Sequence, residues 1–304
     1  MRAIRAAVGL ALSTGLIAGA AGCSQDNKAA SDHTASVVAS TNVWGSVASA
    51  IAGDHASVKS IISNPEQDPH SFEATPSDAA AIADATLVVY NGGGYDHWVD
   101  DVLAGHQGVA AVDAYSLLPA AGPQPANEHV FYDLETVKSV ANQIADKLSQ
   151  ADAGHAEDYK ANAAKFTDQA DTIAAAERAI GAAHPGATVV ATEPVAHYLL
   201  TNSGITDKTP EGFANAVEED TDPSPADLAA MLDLISTRQV SALLYNSQTE
   251  TAVTKQLKDA ADRASIPVVM VTETLPDGTD YLTWQRQTAE QLASQLDKAP
   301  QANR

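Results

Sequence analysis

The chain has 304 residues but only one cysteine, Cys23. That excludes an internal disulfide framework and any metal site built on several thiolates. Cations are scarce, with 17 Lys and Arg against 39 Asp and Glu and a formal charge of −22. Such a surface repels nucleic acid and anionic lipid headgroups, so neither is expected as a partner, and it attracts cations only generically. Long apolar runs are scarce too. The one candidate, Ala6 to Ala21, is too short to cross a bilayer comfortably, and no second stretch reaches membrane length. Neither HExxH nor GxSxG occurs, which removes the two commonest sequence signatures of hydrolases.

That one apolar run follows Arg2 and Arg5 and ends on Ala20-Ala21-Gly22-Cys23. A basic start, an apolar middle and a small-residue end make a secretory signal. The end resembles a bacterial lipobox, in which the cysteine is lipidated and becomes the mature N-terminus. Ala20 departs from it, since a larger aliphatic residue is usual there. Residues 1–22 are therefore expected to be a lipoprotein signal peptide, and residues 23–34, small and polar, a flexible tether. The protein should be exported and lipid-anchored through Cys23 to the outer face of a bacterial cell membrane. A plain secreted protein with an incidental cysteine is the alternative.

The remaining residues carry a short internal repeat. Thr75-Pro76-Ser77-Asp78 opens a helix that leads to Leu87-Val88-Val89-Tyr90-Asn91, and Ser224-Pro225-Ala226-Asp227 opens one that leads to Leu243-Leu244-Tyr245-Asn246. Each is a capped helix with proline at its first position, followed by an apolar strand. Further strands are expected at Ser36–Ser40, Val58–Ile62, Thr188–Thr192 and Pro267–Thr272. Their continuous apolarity suits parallel strands covered on both faces. The pattern implies two α/β lobes of similar build. Between them, Val137, Val140, Ala141, Ile144 and Leu148 share one helical face. Tyr159, Ala163, Phe166, Ala170, Ile173 and Ile180 then form a narrow seam about 40 Å long if fully helical. A rigid strut packed along both lobes is expected, with a coiled-coil helix as the other reading, and Gly181 and Pro185 should end it.

His70 sits in Asn64-Pro65-Glu66-Gln67-Asp68-Pro69-His70-Ser71-Phe72, after the Val58–Ile62 strand and before the Thr75 helix cap. Prolines stiffen this loop, and strand ends are where open α/β sheets hold ligands. His129 lies in a second loop, Asn127-Glu128-His129-Val130. Two loop histidines in matched settings suggest a metal site. His33, His55, His97, His106, His155 and His184 have no such context and read as ordinary surface or capping residues.

Several segments together resemble the metal-binding lipoproteins of bacterial zinc/manganese ABC importers, the cluster A-I or solute-binding protein 9 family. They are Asp68-Pro69-His70-Ser71-Phe72-Glu73 with Thr75-Pro76-Ser77-Asp78, Tyr90-Asn91-Gly92 with Trp98, Glu128-His129-Val130, Ala191-Thr192-Glu193-Pro194 and Val271-Thr272-Glu273-Thr274-Leu275-Pro276. The resemblance implies two Rossmann-like α/β lobes bridged by a long rigid α-helix, with one metal in the cleft between them. It suggests a first lobe over residues 35–152, a linking helix over 153–183 and a second lobe over 184–304. Carried over residue by residue, it implies His70, His129, Glu193 and Glu273 as ligands. The last place usually holds aspartate, so Asp277 and Asp280 stay open as alternatives to Glu273. His197, one turn after Glu193, is read as packing or support and less as a ligand, and Glu193 itself could instead cap the following helix. Asp68 and Glu128 could orient the imidazoles, while Asn91, Trp98 and Asn246 would shape the cleft.

The implied cargo is one divalent ion. Two carboxylates favour Mn2+ and two imidazoles keep Zn2+ a close second, since zinc outcompetes manganese at most such donors. The short Ala120–Asn127 segment, without the His- and acid-rich loop of many zinc members, leans towards manganese. The implied role is a non-catalytic, monomeric receptor that hands metal to an ABC permease and its ATPase. The alternatives are a secreted zinc-dependent hydrolase and an adhesin-like surface lipoprotein.

Overall fold

The computed structural model describes residues 35–119, 126–219 and 221–299. The expected signal peptide, tether and anchoring Cys23 lie outside these residues, as do positions 120–125 of the Ala120–Asn127 segment.

Runs of β-branched residues form the strands of the first lobe. β1 (Ala35–Thr41) and β3 (Leu87–Tyr90) are apolar and almost wholly buried. β2 (Ala56–Ile62) and β4 (Ala110–Asp113) flank them and are partly exposed. All pair in parallel, in the order β2-β1-β3-β4. Helices α1 (Asn42–Ala52), α2 (Pro76–Ala83) and α3 (His97–Gly105) make the crossovers. Helix α2 begins with the expected capping box, in which the Thr75 hydroxyl and the Asp78 carboxylate each take the other's backbone N–H.

The second lobe repeats the plan. β5 (Thr188–Ala191), β6 (Thr206–Asp207), β7 (Ala242–Asn246) and β8 (Val268–Val271) form a parallel sheet in the order β6-β5-β7-β8. Its helices are α6 (His197–Ser203), α7 (Glu211–Glu218), α8 (Pro225–Ser236), α9 (Ala252–Ala264) and α10 (Tyr281–Leu296). The repeat read from α2–β3 and α8–β7 therefore belongs to two sheets of matching strand order.

Helix α4 (Leu134–Ala151) packs against α5 (Ala156–Ala183), the 28-residue strut. All six expected seam residues of α5, from Tyr159 to Ile180, are buried. The strut lies on α1 and α4 at one side and on α6 and α10 at the other, so it bridges the two lobes. Gly181 does not end it. It lies inside the last turn, where a Cβ would come within 1.9 Å of the Ser203 carbonyl oxygen. The glycine is a contact point between α5 and the end of α6, and the helix stops at Ala183, two residues before Pro185.

One apolar cluster runs from Val37 and Trp44 through Phe131, Phe166 and Ile173 to Tyr281 and Leu292. Two smaller clusters fill the outer faces, around Ile82 and Val99 in the first lobe and around Phe213 and Leu257 in the second. Complete burial of side chains of this size stabilises by roughly 1.5–3 kcal/mol each. The central cluster belongs to both lobes.

Candidate metal centre

The carboxyl ends of the two sheets face one place, and every expected ligand follows a strand there. His70 follows β2, His129 follows β4, Glu193 follows β5 and Glu273 follows β8.

The His70 loop is built by local bonds and held by the other lobe. Asp68 Oδ1 accepts from the His70 backbone N–H at 2.9 Å, an Asx-type turn. Gln248 Nε2 donates to the carbonyls of Pro65 and Gln67 at 3.0 and 3.3 Å, and the Thr274 hydroxyl donates to Pro65 O at 3.0 Å. The His129 loop is fixed by Asn127 Oδ1, which takes the His129 backbone N–H at 3.0 Å and lies 3.2 Å from its Nδ1. Asn91 Nδ2 donates to Glu128 O at 2.8 Å. The turn bearing Asn91 is set by the buried Asp96 carboxylate, which accepts from the N–H groups of Asn91 and Gly92. Burial pushes the Asp96 carboxyl up to about 6 against those bonds.

At the centre, His70 Nε2 lies 3.1 Å and His129 Nε2 lies 3.6 Å from Glu273 Oε2. His129 and Glu273 have no exposed surface. All three converging atoms are buried and lack a hydrogen-bond partner. Orphaned buried polar atoms are rare and call for a cause. Donors bound to one ion at about 2.1 Å sit roughly 3 Å apart, close to the separation of each Nε2 from Glu273 Oε2. Asn246 Nδ2 donates to Glu273 Oε1 at 2.8 Å and to Glu193 Oε2 at 2.6 Å, so one amide holds both carboxylates together. Thr249 Oγ1 also donates to Glu193 Oε2, at 2.7 Å.

The charges are strongly coupled. Burial alone would lower the His70 pKa, but Glu273, Glu128 and Glu193 outweigh it and hold the imidazole up at about 10. His129 is likewise raised against its burial, by Glu273 and then Glu218. Burial would raise Glu273, yet the close imidazoles of His129 and His70, when protonated, hold it well below the usual range. Glu193 is pushed up to about 7 by burial and by the neighbouring Glu273. Such a nest of imidazoles and carboxylates can exchange its protons for a dication.

The alternatives sort by geometry. The Asp280 side chain caps α10 through Thr283, and Asp277 lines a separate polar depression beside Ser46 and Ser60. Glu193 precedes a short 3-10 turn but makes no capping bond. His197 is exposed and packs edge-on against Tyr198. Glu128 and Asp68 do have carboxylate oxygens near the cluster. Glu128 Oε1 lies 3.4 Å from His70 Nδ1, the ring edge facing away from Nε2, so it orients His70 rather than its sequence neighbour His129. Trp98 does not line the cleft. It packs at a tilt against Phe72, with ring centroids 4.9 Å apart, and braces the His70 loop from outside.

Four contributors are absent from the sequence reading: Gln248, Thr249, Tyr95 and Glu218. Tyr95 packs edge-on to His70, with ring centroids 4.7 Å apart. It follows three consecutive glycines with positive φ, a signal that could have pointed to a tight turn beside the site.

Known proteins resemble the chain in sequence and in fold. Residues 37–295 match the family described as zinc-uptake complex component A, periplasmic. A manganese-binding lipoprotein, MntA of Halalkalibacterium halodurans, is 30% identical over 155 residues, covering 48% of this chain and half of that relative's length. The manganese ABC transporter substrate-binding lipoprotein PsaA of Streptococcus pneumoniae is 23% identical over 312 aligned residues, 95% of this chain and 98% of the relative. The solved periplasmic zinc-binding protein TroA of Treponema pallidum shares the fold, with a TM-score of 0.74 at 19% identity over 86% of this chain and 99% of that one.

Proposed function

The chain belongs to the zinc-uptake complex component A family, and from that premise we propose that it is an extracytoplasmic receptor for a divalent transition metal, Mn2+ or Zn2+, serving an ABC importer. It binds one ion through His70, His129, Glu193 and Glu273 and passes it to a permease driven by an ATPase. The relatives whose names carry manganese or zinc support the cargo class. The observation that carries the reading is the convergence of His70 Nε2, His129 Nε2 and Glu273 Oε2, buried, unpartnered and within 3.1–3.6 Å of the shared oxygen.

Two imidazoles and two carboxylates make a mixed nitrogen–oxygen site. Its carboxylates suit Mn2+, which accepts higher coordination numbers, while Zn2+ binds the same donors tightly in vitro. Four protein donors fill a tetrahedral zinc and leave no open position for substrate water, so the role is binding and not hydrolysis. The protein acts as a monomer tethered through a lipidated Cys23 on the outer face of the cell membrane.

The test is titration of metal-stripped protein with Mn2+ and with Zn2+. One ion per chain is expected. His70→Ala should weaken binding by more than about a hundredfold, beyond the 10–100-fold typical of residues that merely orient a ligand. Unaltered affinity in that variant would remove the central claim.

A further inference from the structure

A carboxylate that none of the sequence motifs contains reaches the second imidazole from the opposite lobe. Helix α7 is anchored at its start. Gly212 lies against the Asp227 carboxylate, where a Cβ would come within 2.7 Å, and Phe213 is buried in the outer apolar cluster with Met231 and Ile235. Its far end is closed by Thr221, whose N–H and hydroxyl both donate to Ala216 O. The last residue of the helix, Glu218, is thereby aimed at the metal centre. Its Oε1 is buried, has no hydrogen-bond partner and lies 3.9 Å from His129 Nδ1.

That position has a cost. A desolvated carboxylate oxygen without a donor is unfavourable, and a nearby cation is what offsets it. The groups that face Glu218 are His129, Glu128, His70 and Glu273, and of these only the imidazoles can carry positive charge. When His129 Nε2 holds a metal, Nδ1 must keep the ring's remaining proton, and the ring shares the charge of the ion. Asn127 Oδ1 then accepts that proton from within the first lobe, and Glu218 supplies the countercharge from the second. Glu128 plays the matching part for His70, at 3.4 Å from its Nδ1. Both imidazoles are thus held between Glu273 on one edge and an orienting carboxylate on the other, the arrangement that raises ligand basicity.

We propose that Glu218 is a positioning residue for His129, and that it makes the orientation of this ligand depend on α7 of the second lobe being docked over the first. The proposal rests on the metal-receptor reading above. The same ring then joins the bound ion to a contact between lobes, and loosening α7 would loosen His129.

The experiment compares wild type, Glu218→Gln and Glu219→Gln, the last being the exposed neighbour with the same charge change. Zn2+ alone is the probe. Affinity is read by competition with a chelator, and the His129 ring nitrogens of the zinc-loaded protein are read by 15N NMR. Glu218→Gln should weaken binding about tenfold, at the lower end for orienting partners, and should move the His129 Nδ1 resonance while leaving that of His70 in place. Glu219→Gln should stay within about twofold of wild type. The proposal is overturned if Glu218→Gln binds as wild type, if Glu219→Gln weakens binding equally, or if affinity falls without a change at His129. Intact binding in His70→Ala would instead defeat the receptor reading itself, so the two failures are distinguishable.

Discussion

Replacing Gln248 by alanine should speed metal release about 30-fold. Gln248 lies between the lobes, and its amide NH2 has three acceptors in range: Pro65 O at 3.0 Å, Gln67 O at 3.3 Å and Thr274 Oγ1 at 2.8 Å. Two hydrogens can serve only two of them well. Its Oε1 takes the Glu273 backbone N–H at 2.6 Å. Three bonds at about 1 kcal/mol net each give roughly 3 kcal/mol. The side chain is only half-buried, so water recovers part of this and leaves about 2 kcal/mol, or some 30-fold at 1.4 kcal/mol per factor of ten. Pro65 and Gln67 belong to the loop that carries His70, so undocking this loop withdraws a ligand. The loss should therefore appear in the dissociation rate, with Kd rising by no more than the same factor, because a latch also present in the metal-free protein acts on both states. Stopped-flow release of Zn2+ into excess chelator measures it. A rate within threefold of wild type, at unaltered melting temperature, would refute the idea that the second lobe pins the His70 loop. Gln248→Glu should be at least as fast, since its oxygens would oppose two carbonyls.

Glu193→His should raise affinity for Zn2+ relative to Mn2+, because it exchanges a hard oxygen for an imidazole; the ratio of the two dissociation constants in one buffer decides it, and an unchanged ratio removes Glu193 as the selectivity ligand. Affinity for either ion should climb from pH 6 towards pH 9. His70 in the metal-free protein stays protonated up to about 10, so binding at neutral pH must expel its proton; calorimetry in buffers of different ionisation enthalpy counts the protons released. The raised pKa has the opposite effect on the metal-free fold, whose His70–Glu273 pair contributes fully between about pH 4.5 and 6.5, weakens in acid as Glu273 is protonated, and is lost as pH rises through about 10. Cys23→Ala should free the protein from the membrane or leave it unprocessed, and a wild-type mass without any acyl chain would exclude the anchor.

The parts of this molecule legible in its sequence are those written locally. The Thr75-Pro76-Asp78 box announces α2, and with it the loop that presents His70. β1, β3 and β7 are continuous apolar runs because both faces are covered. β2 alternates between buried and exposed positions, so only its second half stands out, and β6 is two exposed residues held by pairing with β5 alone. The four proposed ligands each sit in a motif beside a strand end. The residues that orient them do not. Gln248 meets Pro65 across 183 positions, and Glu218 meets His129 through the placement of a whole helix. Contacts of that kind arise from the relation between two sheets, which no window of neighbouring residues contains.

The apolar cluster shared by the two lobes has a thermodynamic consequence. Two sheets joined only by a linker would melt as two units, each with its own transition. Here Phe131 of the first lobe contacts Trp284 of the second, and the Tyr281 hydroxyl donates to Phe131 O. Neither sheet can unravel without exposing the interior of the other. The chain should therefore unfold in one calorimetric step despite its duplicated plan. An ion held at one end then raises the melting temperature of every element, including the far turns of α4 and α5, by mass action on the whole cooperative unit.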